Sequence, residues 1–117
     1  MDAEELKART KKFVLRVMTL IDSLPNTVKG RVIANQLMRA ATSVGANYRA
    51  ACRGRSHAEF FSKLSTVVEE SDECCYWLEL IMEGEVLSTD KVSDLYQEAD
   101  EITAIMTASH KTAQNTR

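Results

Sequence analysis

Ala51-Cys52-Arg53-Gly54-Arg55-Ser56-His57-Ala58-Glu59-Phe60 holds the sharpest break in the chain, and its reading decides the fold. Upstream of it Ile33, Leu37, Ala40, Val44, Tyr48 and Ala51 recur at helical spacing. Downstream the same period resumes in Phe60, Leu64, Val67, Ser71, Cys74, Cys75, Leu78 and Met82. Between the two stripes Gly54 supplies a helix stop. Ser56 and Glu59 then stand in capping-box spacing, so that hydroxyl and carboxylate each satisfy a free backbone N–H. A stop and a start separated by so few residues force the second of two long helices to fold back antiparallel on the first.

Working upstream, the helix that ends at this break spans 27–53, with Asn26 or Thr27 as its cap. Pro25 separates it from a first helix over 3–24, whose inner stripe is Leu6, Phe13, Val17, Leu20, Ile21 and Leu24. Proline cannot continue the hydrogen-bond ladder, and it pushes the residue before it out of the α region. Working downstream, the third helix spans 57–83 and fades at Gly84. Ser88 or Thr89 caps a fourth over 89–110, with Asp90 near the positive end of its dipole and Val92, Leu95, Ala99, Ile102 and Met106 facing inward. The polar residues 111–117 read as a frayed tail. The expectation is an all-α protein, an antiparallel up-down-up-down four-helix bundle forming one domain over 1–117.

Composition agrees. One proline and four glycines in 117 residues leave long helices uninterrupted, and 44% hydrophobic with 27% charged residues is a globular balance. The N-terminal Met1-Asp2-Ala3-Glu4-Glu5 is acidic where a signal peptide is basic, and no apolar run reaches the ~20 residues of a membrane span, so a cytoplasmic protein is expected. Cys52, Cys74 and Cys75 form no Cys-x-x-Cys or Cys/His ligand pattern, and they read as reduced, packed thiols.

The formal charge of −2 hides a division. Residues 1–58 carry eleven Lys/Arg against four Asp/Glu, or +7, while 59–117 carry four against thirteen, or −9. At 100° per residue, Arg31, Arg39, Arg49 and Arg53 gather on one arc of the second helix, and Glu69, Asp72, Glu73, Glu79 and Glu83 on one arc of the third. Three uses fit these stripes. They are solvated faces with ion pairs inside the subunit, bringing Arg39 level with Asp72 and Arg31 level with Glu79. Or the basic stripe of one subunit meets the acidic stripe of the next in a ring. Or the basic stripe binds phosphates, extended by Arg55 and by Lys7, Arg9, Lys11 and Lys12 of the first helix. A pI of about 5.7, few aromatic residues and the absence of helix-turn-helix, zinc-finger or RNA-binding-sheet signatures leave the local basic patch as the only argument for nucleic acid.

The common catalytic patterns do not fit the chain. A di-iron bundle needs Glu-x-x-His pairs, and no histidine follows Glu70 or Glu73. His57 and His110 lie at helix ends, His57 too far into its cap turn to activate Cys52. Gly54 and Gly84 read as helix stops, and Gly30 has no Gly-rich context for cradling phosphates. No catalytic residue, cofactor, metal or small-molecule substrate is assigned. Gly45 stands apart, because a mid-helix glycine costs about 1 kcal/mol against alanine. It lies in the small-residue run Ala40-Ala41-Thr42-Ser43-Val44-Gly45-Ala46-Asn47, where a second helix approaches closely, from this chain or from a neighbouring subunit.

The stretch Val32-Ile33-Ala34-Asn35-Gln36-Leu37-Met38-Arg39-Ala40-Ala41-Thr42-Ser43-Val44-Gly45-Ala46-Asn47-Tyr48-Arg49-Ala50-Ala51-Cys52-Arg53-Gly54-Arg55-Ser56 carries a family resemblance. Together with Glu59-Phe60 and the later Glu70, Asp72, Glu73, Trp77, Leu78, Glu79 and Leu80, it closely resembles the bacterial 23S rRNA intervening-sequence proteins. The similarity covers roughly residues 10–85, and Ala50 stands where that family usually has glutamate. More distantly the chain is similar to the accessory protein of diversity-generating retroelements, a more basic protein. The resemblance implies a four-helix bundle, a homopentameric ring, nucleic acid as the ligand class and no catalysis. The resulting expectation is a non-enzymatic oligomeric binding or scaffold protein that contacts RNA or other nucleic acid through Arg31, Arg39, Arg49, Arg53 and Arg55. The alternative is a structural bundle that recognises a protein partner through the acidic face of Glu69, Asp72, Glu73, Glu79 and Glu83.

Overall fold

The computed structural model describes residues 1–116. It contains α1 (Ala3–Asp22), α2 (Val28–Cys52), α3 (His57–Glu83) and α4 (Ser93–Asn115), with a single 3-10 turn at Thr89–Lys91 before the last. Consecutive helices pack side by side, α2 and α3 most extensively and α1 with α4 least, in a body of 47 × 20 × 20 Å. That length is about the ~40 Å a helix of α3's size spans. Phe13 and Val17 from α1, Leu37 and Val44 from α2, Leu64 and Leu78 from α3, and Ile102 and Met106 from α4 are sealed in the centre. Truncating any one of the leucines to alanine should cost about 2–5 kcal/mol, because neighbours on three other helices cannot all collapse into the space.

Each of the first three helices begins on a side-chain cap worth about 1 kcal/mol. Asp2 Oδ1 accepts from the Glu5 N–H at 2.8 Å, and the Thr27 hydroxyl accepts from the Gly30 N–H at 3.1 Å. The Ser56 hydroxyl accepts from the Glu59 N–H at 3.1 Å. Glu59 reaches back one residue beyond the cap itself, its carboxylate accepting from the Arg55 N–H at 2.7 Å. Gly30 has a structural reason of its own. A Cβ there would overlap the Pro25 carbonyl oxygen, so glycine lets α2 start directly beneath the proline turn.

The fourth helix corrects the sequence reading at both ends. Neither Ser88 nor Thr89 caps it. Ser88 makes no side-chain cap bond, residues 89–91 wind as a 3-10 turn, and the α-helix starts only at Ser93 behind the buried Val92. The cause lies in how α3 stops. Glu85 takes a left-handed φ of 54°, the Glu85 N–H donates to the Met82 carbonyl at 3.2 Å, and the Val86 N–H donates to the Ile81 carbonyl at 2.9 Å. This is a Schellman ending with glutamate, not Gly84, in the left-handed position. At the other end the expected frayed tail is helical through Asn115, and Ala113 is buried. One small apolar residue, seven beyond Met106, keeps the inner stripe going past the point where the polar neighbours suggest it ends. Residue 117 of the expected tail lies outside the described residues.

Candidate functional site

The basic stripe of α2 divides into two environments. Arg39 faces α3, where Nη1 donates to Glu70 Oε2 at 2.6 Å and Nη2 to Glu73. Burial opposes ionisation of Glu70, yet the Arg39 hydrogen bonds and charge hold its carboxyl below the usual carboxylate range. The same bonds raise the Arg39 pKa. The expected partner, Asp72, is not in this pair, because Glu70 lies further round α3 toward α2 and its side chain is only 17% exposed. Arg31 does not meet Glu79 either. It donates to the Asn26 side-chain oxygen at 3.0 Å, while Glu79 accepts from the Tyr96 hydroxyl at 3.2 Å.

Arg49 and Arg53 face the other way, toward α1. With Lys7 and Lys11 they line an open groove of about 660 Å³ whose base is built from Val14, Thr42, Gly45 and Ala46. Glu4 is the one carboxylate in its wall, and it is held by Lys7 at 2.7 Å. The groove exists because α1 comes close at Gly45. A Cβ on that residue would lie 3.2 Å from Val14 Cγ2, tighter than ordinary contact. The partner that Gly45 accommodates is therefore a helix of the same chain. Small side chains at Gly45 and Ala46 lower the base of the groove, and four long cationic side chains rise around it. Such a concavity concentrates positive potential, because few opposite charges are near to cancel it.

The remaining basic residues fall elsewhere. Arg55 is exposed in the α2–α3 turn. Arg9, grouped with the patch from the sequence, projects from the opposite flank of α1 to α4. There it donates to Glu98 at 2.8 and 2.7 Å and to Glu101 at 2.9 Å. Those bonds hold the Glu98 carboxyl below its ordinary range, with Arg16 and Lys12 adding weaker attraction from the same side. Sequence reasoning missed both Glu70 and Glu98 as the residues that neutralise arginines. The available signal was their position on the flank of each helix between the apolar stripe and solvent, where a long partner from the next helix reaches.

The acidic face of α3 is also mixed. Glu69, Asp72 and Glu83 are exposed, Glu73 is tied to Arg39, and Glu79 to Tyr96. Tyr76 stands among them, 52% exposed and packed edge-on against Trp77. Burial pushes the Cys74 and Cys75 thiols up, away from the thiolate a nucleophile needs. Among the described residues no cluster of His, Cys, Asp and Glu is arranged to hold a metal ion, and no helix is long and apolar enough to cross a membrane.

The sequence model of the 23S rRNA-intervening sequence protein family matches residues 4–108. The chain belongs to this family. A solved structure of a protein of unknown function from the S23 ribosomal protein family of Bacteroides thetaiotaomicron is similar to it, at 31% identity and a TM-score of 0.86. That likeness covers 95% of this chain and 99% of the other. None of the curated proteins matches. The matched residues reach into all four helices, and both the α1–α2 groove and the Arg39 node lie within them.

Proposed function

We propose that this chain is a non-enzymatic nucleic-acid-binding protein that holds RNA phosphates in the α1–α2 groove. The observation that carries the reading is the convergence of Lys7, Lys11, Arg49 and Arg53 on one concavity. Lysine and arginine there present several N–H donors each, and arginine forks onto phosphate oxygens. The name of the family, a 23S rRNA-intervening sequence protein, supports RNA over other polyanions. Arg39 is not assigned a phosphate, since it is held by two partly buried carboxylates, Glu70 and Glu73, whereas Lys7 meets only the exposed Glu4, which a phosphate can displace. The test is a titration of a short fluorescein-labelled RNA hairpin at several salt concentrations. Four neutralised phosphates give a slope of log K against log salt of roughly −3, and each cation removed flattens it by about 0.7–0.9. Failure to bind at low salt overturns the reading.

Self-association in the cytoplasm, as a ring of five, is the second part of the proposal. The number five is what the family resemblance implies, and the contact itself rests on two faces of opposite charge that each expose apolar groups. The α1–α2 face carries Leu15, Met18, Val28 and Val32 in the open, and the acidic α3 face carries Tyr76. A head-to-tail contact between unlike faces closes into a ring when the rotation allows. Placed on the Val28–Val32 part of α2, it leaves the Arg49–Arg53 part free for RNA. Light scattering reads the assembly directly. Val32→Glu should reduce the ring to monomers, and a monomeric wild type sinks this part. If the acidic α3 face instead recruits a different protein, Glu69→Lys should abolish that capture and leave hairpin binding unchanged.

A further inference from the structure

Three aromatic rings line up at the end of the bundle where α3 begins and α4 ends. His57 and Phe61 lie one turn apart on α3, with ring centroids 6.3 Å apart and planes within 15°. Phe61 and His110 of α4 follow at 4.4 Å and 23°. The inner end is fixed. Ser65 Oγ lies 2.8 Å from His110 Nε2 and 2.9 Å from the Phe61 carbonyl oxygen, so the serine hydroxyl ties the imidazole to the backbone of α3. The outer end is loose, because 6.3 Å is near the long limit for paired rings and His57 is exposed.

Core packing does not account for this ladder. The neighbouring Phe60 packs on the core, but His57, Phe61 and His110 stand outside it. Two open grooves, of about 500 and 570 Å³, share His57 and Ala113 in their walls at the outer end of the ladder, and Phe61 lines the larger one. Both exceed the roughly 300 Å³ at which small-molecule sites begin. Not one carboxylate lines either of them among the described residues. Glu59, two residues beyond His57, is bound to the Arg55 backbone N–H in the helix cap. Two arginines, Arg53 and Arg55, occupy the turn that leads into His57, and Arg53 is also in the wall of the phosphate groove.

We propose that the His57–Phe61–His110 ladder is a stacking platform for an unpaired nucleobase, with Arg53 and Arg55 on the phosphates that flank it. This rests on the RNA reading of the α1–α2 groove and adds what that groove lacks, a way to tell unpaired from paired RNA. A parallel ring stack accepts the π-face of any base, so it selects for accessible bases over sequence. A base within a duplex stem is already stacked on its neighbours and does not reach the platform.

The experiment compares two probes, a single-stranded oligoribonucleotide carrying 2-aminopurine and a blunt-ended, fully paired RNA duplex of the same length. Stacking on the ladder quenches the 2-aminopurine fluorescence. His57→Ala and Phe61→Leu should each weaken the single strand roughly tenfold and leave the duplex unchanged. His57→Phe, which keeps a ring, should retain the affinity. A thermal melt of each variant separates loss of the platform from loss of the fold. Unaltered single-strand affinity in both ring variants, with Lys11→Glu still weakening both probes, overturns the ladder and spares the groove. Quenching and single-strand affinity that survive Lys11→Glu unchanged overturn the groove and spare the ladder. Binding of neither probe overturns both.

Discussion

Arg39 and Arg49 sit on the same helix, on the same outward arc, and their surroundings are opposite. Beside Arg39 the neighbouring helix is α3, which presents Glu70 and Glu73 at bonding distance. Beside Arg49 the neighbour is α1, which presents Lys7 and Lys11. The stripe seen on a helical wheel is therefore not a functional unit. A cation's role is set by which helix flanks it, and the flank changes across the width of one helix. Where opposite charges face each other the result is a structural clasp; where like charges face each other, they remain open to an external anion.

The strongest way to break this contrast is to give the groove what the clasp has. Ala46 is exposed in the base of the groove beside Arg49 and Arg53, so Ala46→Glu installs a carboxylate within their reach. Hairpin affinity should fall about tenfold or more, which corresponds to ~1.4 kcal/mol. Stability in a urea melt should stay within about 0.5 kcal/mol, as for most surface changes. Unchanged affinity in a folded Ala46→Glu variant means the phosphates bind elsewhere.

The converse is smaller. Arg39→Ala removes the clasp, and because the side chain is half exposed the pair of bonds is screened by solvent. A loss of about 0.5–1 kcal/mol in the urea melt is expected, with no change in hairpin affinity. Arg49→Ala should do the reverse, weakening the hairpin and leaving the melt almost unmoved. Equal effects of the two variants on binding would dissolve the distinction between them.

The contrast also marks what the sequence could and could not show. Four helices, their antiparallel order and the breaks at Pro25 and Gly54 were legible because apolar period and cap chemistry act over a few residues. The start of α4 was not. It depends on Glu85 adopting a left-handed backbone, which glutamate rarely does and which no local pattern announces. Its end was misjudged because Ala113 carries little apolar signal for a residue that is buried. For the site, the wheel placed Arg39, Arg49 and Arg53 correctly on the outside, but it gives angle without partner. That Arg9 turns to α4 while Lys7 and Lys11 turn to α2 follows from how α1 is rotated between its neighbours. That rotation is a tertiary fact. Gly45 was the one local sign of it, because a helix that lacks a side chain must be making room for something.

Acid should separate the clasps from the groove most finely. Glu70 and Glu98 are each held below their ordinary pKa by an arginine. In the unfolded chain they return to about 4.3, so above that pH both states are ionised and the clasps contribute in full. As pH falls through 4.3 the unfolded chain binds protons first, and the contribution declines until the folded carboxyls are protonated as well. The urea midpoint of the wild type should therefore drop below about pH 5 more steeply than that of Arg39→Met or Arg9→Met, each of which removes one lowered carboxyl from the balance. Arg49→Met should track the wild type across the same range, because among the described residues Arg49 is paired with no carboxylate, and the one acid in the groove wall, Glu4, is held by Lys7 instead. If Arg49→Met flattens the acid limb as much as Arg39→Met does, then Arg49 is paired with a carboxylate in solution, and the groove is a third clasp instead of an open site.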